Sequence, residues 1–168
     1  MAQQLTAAGE GTVLRAKIAL VRPALDIASS RMWLDPEPVA AYARYLSAMY
    51  PVTRAAVPLL RSSHGLVVNI ASLAGTIPAP GLAAYGAAKA GVISLTRSLN
   101  AELEADGIRA TAICPGFVDT PMAAWTAMPS KEMIQPQDCA EVVRLLLRLS
   151  PAARIPQVVL ERLGSGRF

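Results

Sequence analysis

Three side chains that can perform acid–base chemistry occur between residues 69 and 89: Ser72, Tyr85 and Lys89. Tyr85 and Lys89 are four positions apart, so a helix would place them on one face. A free phenol titrates near about pH 10, and an ammonium group one helical turn away favours the phenolate and lowers that pKa. A serine hydroxyl can hold a substrate oxygen beside the tyrosine. The spacing predicts a proton-transfer site for a carbonyl or alcohol oxygen.

The sequence pattern predicts a strand before this site and a helix through it. The strand GLVVNIAS (65–72) ends at Ser72, and a Gly- and Pro-rich loop leads to a helix over 83–107. The apolar stripe of that helix consists of Val92, Leu95, Leu99 and Leu103, and Asp106–Gly107 should end it. The motif Tyr-x-x-x-Lys therefore falls in the first turns of the helix.

The rest of the chain alternates in the same way. Apolar runs predict strands at 17–21, 108–114 and 156–162, and helical spacing predicts helices at 35–63 and 138–150. The apolar positions of helix 35–63 are Val39, Tyr42, Leu46, Tyr50, Val57 and Leu60. Pro51 should kink this helix or end its first half. The alternation predicts an α/β fold, with a parallel sheet covered by helices on both faces.

Such sheets bind ligands beyond the carboxyl ends of their strands. Ser72 ends one strand, and PGFVDT (115–120) follows the next one. Both candidate segments are therefore expected at the same edge of the sheet.

Composition restricts the class of protein. The 168 residues are 53% hydrophobic and 17% charged, which predicts one globular domain spanning 1–168. The net charge is +4, but the arginines near the C-terminus are dispersed, so we expect no nucleic-acid partner. No apolar run is long enough to cross a bilayer and no leader pattern is present, so we expect a cytoplasmic protein that does not bind membranes. Cys114 and Cys139 have no metal-like spacing; we expect both to be reduced and structural, with no metal site.

Three motifs follow one another in the chain: VVNIASLAG, YGAAK and ICPGFVDTPM. Together they resemble the short-chain dehydrogenase/reductase family in its YxxxK form, and the resemblance extends from about residue 17 to the C-terminus. It implies a truncated Rossmann-like, doubly wound parallel sheet, with strands equivalent to the family's 4-5-6-7 and flanking helices. Residues 17–168 would be the catalytic half of that fold, and residues 1–16 a tail or a segment that covers the edge strand.

The resemblance also implies roles for individual residues. Tyr85 would be the catalytic acid/base, Lys89 would lower its pKa and hydrogen-bond the nicotinamide ribose, and Ser72 would orient the carbonyl. The cofactor would be NAD(P)(H), and the segment that holds its nicotinamide end would contain Pro115, Gly116, Val118 and Thr120. The following substrate lid would contain Met122, Trp125 and Met128, for which plain packing is an equally good interpretation. An apolar lid favours a hydrophobic ketone or alcohol.

Three departures from the family pattern concern the cofactor and the proton relay. The glycine-rich TGxxxGxG turn has no good match, since Gly9 and Gly11 follow no predicted strand. The family's NNAG motif corresponds to RPAL at 22–25, and its catalytic asparagine corresponds to Tyr45. On this alignment the chain would begin just before the family's fourth strand, and strand 17–22 would be an exposed edge.

These departures leave three functional hypotheses open. The first is an NAD(P)-dependent oxidoreductase of the family, with the nucleotide half supplied by another chain. The second is a cofactor-independent isomerase, dehydratase or cyclase that uses the same Ser, Tyr and Lys. The third is a non-catalytic remnant or partner subunit. The resemblance further implies a homodimer through helices 36–62 and 83–105, and a small-molecule carbonyl or alcohol substrate.

Overall fold

A computed structural model describes residues 36–165 of the chain. Its helices are α1 (Pro36–Ser63), α2 (Ala83–Glu102) and α3 (Pro136–Arg148), and its strands are β1 (Leu66–Ile70), β2 (Arg109–Pro115) and β3 (Gln157–Leu160). The predicted strand at 17–21, the segment 1–16 and the RPAL segment lie outside the described residues. No described helix is both long enough and apolar enough to span a bilayer.

The strands form a parallel sheet in the order β1-β2-β3. Val67 pairs with Ala110 in β1 and β2, and Ile113 pairs with Val158 in β2 and β3. The predicted α/β class and parallel sheet are confirmed for the described part of the chain. The carboxyl ends of β1 and β2 meet at one edge, which brings the segment after Ile70 beside the segment after Pro115.

Helix α2 packs against the face of the sheet formed by alternate residues of β1 and β2. The apolar stripe predicted for it is confirmed, because Val92, Leu99 and Leu103 are buried and Leu95 packs against the same core. The buried residues around this stripe are Leu60, Ala71, Ile93, Ile108, Ala110, Ala112 and Cys114. Burial of these two apolar clusters holds the helix that carries Tyr85 and Lys89 on the sheet.

Two buried polar contacts fix the position of α2 along the strands. The Asn100 side-chain amide donates to the Ala110 carbonyl (2.6 Å) and accepts from the Ala110 N–H (2.8 Å). Ala110 precedes the residues of β2 that pair with β3, so its backbone groups are satisfied by this side chain. Asn69 in β1 donates to the Thr96 hydroxyl (2.9 Å). Because a shift of the helix would leave these groups buried and unpaired, they fix which turn of α2 reaches the carboxyl edge.

Several predicted boundaries differ from the structure. Helix α1 continues through Pro51 and Pro58, so Pro51 does not end its first half. Both prolines are exposed, so the carbonyl four residues before each, which has no N–H donor from the proline, can be hydrated. Tyr50, one of the apolar positions at helical spacing, is 51% exposed. The side chains of Val39, Tyr42, Tyr45 and Leu46 lie outside the described part of the structure.

The ends of α2 and α3 also differ from the prediction. Helix α2 ends at Glu102, and a 3-10 turn continues to Gly107, whose φ of 67° is the left-handed conformation that glycine tolerates. Helix α3 begins two residues before its predicted start, at Pro136. The reason is a capping box, in which the Asp138 carboxylate accepts from the Gln135 N–H (2.8 Å).

Candidate active site

Ser72 lies at the carboxyl end of β1, where the chain leaves the sheet. The Ala71 N–H still donates to the Ile113 carbonyl of β2 (2.7 Å), so the ladder extends to the residue before Ser72. Ser72 then caps a 3-10 turn over Leu73–Gly75 (the serine turn), and its Oγ accepts from the Ala74 N–H (3.2 Å). The side chain is only 8% exposed, so its position is determined by both the strand and the turn.

Two glycines allow the serine turn to lie directly against α2. A Cβ added to Gly75 would lie 2.7 Å from the Lys89 carbonyl carbon, and one added to Gly86 would lie 2.9 Å from the Ala74 carbonyl oxygen. Both distances are shorter than those that real Cβ atoms keep from other heavy atoms. Any larger residue at either position would therefore push the turn and the helix apart. This close approach is what brings Ser72 to the face of α2 that carries Tyr85.

Tyr85 is partly buried and forms a side-chain hydrogen bond with Ser72. Burial raises the pKa of Tyr85 above its usual value, and the Ser72 hydrogen bond opposes this only in part. The predicted lowering of the Tyr85 pKa by Lys89 is therefore wrong for this structure. The reason is that desolvation penalises the phenolate more than the neighbouring groups stabilise it.

Lys89 lies one turn along α2, beside Tyr85 and the end of β1. Its Nζ donates to the Ile70 carbonyl (3.0 Å) and lies 5.6 Å from the centroid of the Tyr85 ring. Burial lowers the pKa of Lys89 to about 8, and attraction to Cys114 opposes that shift. Because the ammonium form is itself disfavoured by burial, Lys89 is a weaker source of positive charge than an exposed lysine.

Cys114, which the sequence predicts to be structural, belongs to this group of side chains. It is fully buried near the end of β2, close enough to Lys89 for each to influence the other's pKa. Burial raises the pKa of the Cys114 thiol, which favours the neutral form. The alternation of Ala110, Ala112 and Cys114 toward α2 was the sequence signal that placed this thiol on the same face as the site.

The second candidate segment follows β2 at the same edge. The Gly116 N–H donates to the Leu160 carbonyl of β3 (2.8 Å), and a Cβ at Gly116 would lie 3.5 Å from the Leu73 side chain. Pro115 is buried as the last residue of β2, Val118 forms a bridge with Ile134, and Thr120 is exposed. The structure thus brings the start of this segment, at Gly116, beside the serine turn, while Val118 and Thr120 lie further along the loop.

The predicted lid, the stretch that follows Thr120, lies in a loop over 117–134 (the lid), which two backbone hydrogen bonds close at its base. The Asp119 N–H donates to the Ile134 carbonyl (2.9 Å), and the Ile134 N–H donates to the Phe117 carbonyl (3.0 Å). Between these bonds Met122 and Trp125 are 53% and 44% exposed. The Trp125 ring packs edge-on against Phe117, with 6.1 Å between centroids.

Met128, the third residue predicted for the lid, is partly buried. Phe117 was not singled out from the sequence, although an aromatic residue directly after Pro115–Gly116 was the available signal. Cys114 and Cys139 form no disulfide in the described part of the chain. Within residues 36–165, no three His, Cys, Asp or Glu side chains are grouped so that they could hold a metal ion.

Comparison with known proteins identifies the group of enzymes that share these features. The family model for short chain dehydrogenases matches residues 38–129. The 3-oxoacyl-[acyl-carrier-protein] reductase of Thermotoga maritima is 33% identical over 112 residues, which are 60% of this chain and 46% of that protein. The 2-(R)-hydroxypropyl-CoM dehydrogenase of Xanthobacter autotrophicus is 38% identical over 105 residues, which are 62% of this chain and 36% of that protein. The chain thus spans about half or less of the length of these relatives.

Solved structures match in the same way. A 4-hydroxyisoleucine dehydrogenase complexed with NADH superimposes with a TM-score of 0.65 and 25% identity, over 77% of this chain and 60% of that one. The match confirms a Rossmann-type arrangement for the described sheet and helices.

Proposed function

Because the chain belongs to the short-chain dehydrogenase family, we propose that it interconverts a carbonyl and an alcohol, with Tyr85 as acid/base and NAD(P)(H) as cofactor. One observation carries the proposal. The Ser72 hydroxyl, the Tyr85 phenol and the Lys89 amine lie together at the carboxyl edge of a parallel sheet, linked by the Ser72–Tyr85 hydrogen bond. This is the edge where such sheets bind ligands.

The residues at this edge suit the nicotinamide and ribose end of a dinucleotide. Lys89 supplies an N–H donor for ribose hydroxyls, Thr120 an exposed hydroxyl, and Gly116 a backbone without a side chain to obstruct approach. Pro115 and Val118 complete the segment that would hold the carboxamide. When bound, the cofactor supplies or accepts the hydride. The described residues contain no counterpart of a glycine-rich pyrophosphate turn, so we propose that another segment or chain supplies it.

The buried phenol is suited to donate a proton. Since burial raises the pKa of Tyr85, the neutral phenol predominates at neutral pH and can protonate a carbonyl oxygen as the carbonyl is reduced. Ser72 holds that oxygen beside Tyr85. Lys89, with a pKa of about 8, carries a proton over the lower part of the physiological range and can return it to the phenolate. The reverse reaction requires the phenolate and is expected to need a higher pH.

The lid indicates the class of substrate. Phe117, Met122 and Trp125 present exposed apolar surface beside the edge that carries Ser72. We therefore propose a hydrophobic ketone or aldehyde, or the corresponding alcohol.

A second candidate is proton transfer without a nucleotide. The observation that favours it is that Ser72, Tyr85 and Lys89 are all positioned within residues 36–165, by contacts that need no cofactor. An isomerase, dehydratase or cyclase would use the same phenol to protonate a carbonyl oxygen during enolisation.

Nucleotide titration of the purified full chain tests the proposal. NADH and NADPH are titrated by calorimetry and fluorescence, with Lys89→Met as the variant and Lys131→Met, an exposed lysine in the lid, as the matched control. The oxidoreductase proposal is supported if the wild-type chain binds a nucleotide saturably, if Lys89→Met weakens this binding, and if Lys131→Met preserves it. No binding, together with nucleotide-independent deuterium exchange next to a ketone carbonyl, would support the second candidate. A folded chain with neither property would be a non-catalytic partner subunit.

Assembly and location complete the proposal. We propose a homodimer through helices 36–62 and 83–105, since α1 exposes Tyr50, Val52 and Leu59, and a cytoplasmic location, consistent with two free thiols. Light scattering of the purified chain would report a monomer mass if the dimer proposal is wrong.

A further inference from the structure

Lys89 has an environment that favours nucleophilic chemistry by its amine. The side chain is partly buried, its Nζ is held by the Ile70 carbonyl at 3.0 Å, and the ring of Tyr85 lies 5.6 Å away. Two groups that bear protons lie near it, the Tyr85 phenol and the Cys114 thiol, and the Ser72 hydroxyl is hydrogen-bonded to that phenol. A carbonyl compound held by Ser72 and Tyr85 would therefore lie next to an amine.

We propose that Lys89 condenses with aldehydes or ketones bound at Ser72 and Tyr85 and forms a reversible imine, without any nucleotide. This activity is separate from hydride transfer. It requires only a neutral amine, a nearby proton donor and an apolar site that retains the carbonyl compound.

Each step balances with the groups present. The Nζ lone pair forms the C–N bond, and the electron pair of the carbonyl moves to its oxygen. That oxygen takes a proton from Tyr85, and the phenolate takes one from the nitrogen, which leaves a neutral carbinolamine. A second proton from Tyr85 converts the hydroxyl to departing water, and the phenolate then removes the remaining N–H proton. The products are one imine and one water, with no oxidation or reduction.

The protonation state of the amine supports this reaction. With a pKa of about 8, roughly a tenth of Lys89 is neutral at pH 7. An ordinary lysine amine is neutral in only about 0.03% of molecules at that pH. Tyr85 has the opposite tendency, since burial keeps its phenol protonated and available as the acid. At neutral pH, Lys89 thus supplies a neutral nucleophile and Tyr85 a neutral acid.

Reductive trapping of the full chain tests the proposal. The protein is incubated at pH 7 with hexanal, an apolar aldehyde, and cyanoborohydride, which reduces an imine to a stable secondary amine. The sequence contains three lysines, Lys17, Lys89 and Lys131, so peptide mapping assigns each adduct. We expect Lys89 to be labelled at least about tenfold faster than the exposed Lys131. Equal or slower labelling of Lys89 would overturn the proposal.

A denatured control and two variants test whether the labelling of Lys89 depends on the folded site. In urea the preference for Lys89 should disappear, because it depends on the folded site; persistence in urea would contradict the structural explanation. Tyr85→Phe, with an unchanged circular dichroism spectrum, should slow Lys89 labelling several-fold, and Tyr50→Phe, at an exposed tyrosine of α1, should leave it unchanged. An unaltered rate in Tyr85→Phe would remove the phenol from the mechanism. Because no nucleotide is present, the result stands independently of the proposed oxidoreductase activity.

Discussion

The serine turn and the lid lie beside the same sheet edge but are held in different ways. The turn is held against α2 at separations that only glycine allows at Gly75 and Gly86, and Ser72 is almost fully buried. The lid is held at its base by backbone bonds of Phe117 and Asp119 to Ile134, while its apolar side chains remain exposed. The difference indicates that the side chains proposed for proton transfer are preorganised, whereas the surface proposed to hold the substrate can vary without disturbing them.

The largest effect is expected for the phenol itself. Tyr85→Phe should lower the rate of carbonyl reduction by about 100-fold or more, because the proton donor is lost. The ring remains, so the free energy of unfolding should change little. The matched control is Tyr50→Phe, since Tyr50 is an exposed tyrosine of α1. Steady-state kinetics and thermal unfolding measure both properties, and a Tyr85→Phe enzyme with more than a third of the original rate would contradict the assignment.

The second prediction breaks the packing of the serine turn. Gly75→Ala places a Cβ 2.7 Å from the Lys89 carbonyl carbon and 2.8 Å from the Ala90 nitrogen, which are backbone atoms that cannot rotate away. Overpacking of this kind costs about 1–3 kcal/mol of unfolding free energy. It should also lower activity, because Ser72 moves away from Tyr85.

The matched control is Gly116→Ala at the start of the other segment. Its Cβ would meet the Leu73 side chain at 3.5 Å, an ordinary contact, so the free energy of unfolding should change by less than about 1 kcal/mol. Urea unfolding followed by circular dichroism compares the two variants. Equal losses of stability would show that the serine turn is no more tightly packed than the segment that starts at Gly116.

The sequence was a good guide to elements with strong periodicity. The stripe of α2 and the strand that ends at Ser72 were predicted because burial of one face determines both patterns. The course of α1 through Pro51 and the capping box of α3 were not predicted, since solvation and side-chain caps can override a local breaker or move a helix start. The bounds of elements were consequently less accurate than their order.

The electrostatics of the site depended on tertiary packing. The four-residue spacing predicts that Lys89 lies beside Tyr85. A lowered Tyr85 pKa, and therefore a larger phenolate population, was expected from that proximity. The raised pKa of Tyr85 and the lowered pKa of Lys89 both follow from burial, which is a property of the turn, the helix and the sheet together. The proximity of Cys114 to Lys89 likewise required the register of β2 against α2.

The third prediction concerns the pH dependence of stability. Lys89 has a folded pKa of about 8, below its unfolded value of 10.5, so the unfolded state binds more protons between these values. The destabilising effect of Lys89 is therefore complete below about pH 8 and is relieved as the pH rises toward the unfolded value. Relative to Lys89→Met, the wild-type chain should gain about 1 kcal/mol of unfolding free energy from pH 7 to pH 9.

Urea unfolding at pH 7, 8 and 9 measures this difference. Lys131→Met is the control, and its difference from the wild type should stay nearly constant because Lys131 is exposed in the lid. A difference between the wild type and Lys89→Met that does not change with pH would mean that the amine is not desolvated in the folded chain.

The smallest effect on the folded structure is expected in the lid. Trp125 is 44% exposed and packs only edge-on against Phe117, so Trp125→Ala should alter the unfolding free energy by no more than about 0.5 kcal/mol. Its apolar surface should contribute to holding the substrate. We therefore expect KM for a hydrophobic ketone to rise several-fold while kcat stays within about twofold, since Ser72 and Tyr85 are held by other contacts.

Leu147→Ala, at an exposed position of α3 outside the lid, should leave both constants unchanged. A large fall in kcat for Trp125→Ala would mean that the lid positions the reacting groups, and the contrast between a preorganised turn and a variable lid would then be wrong.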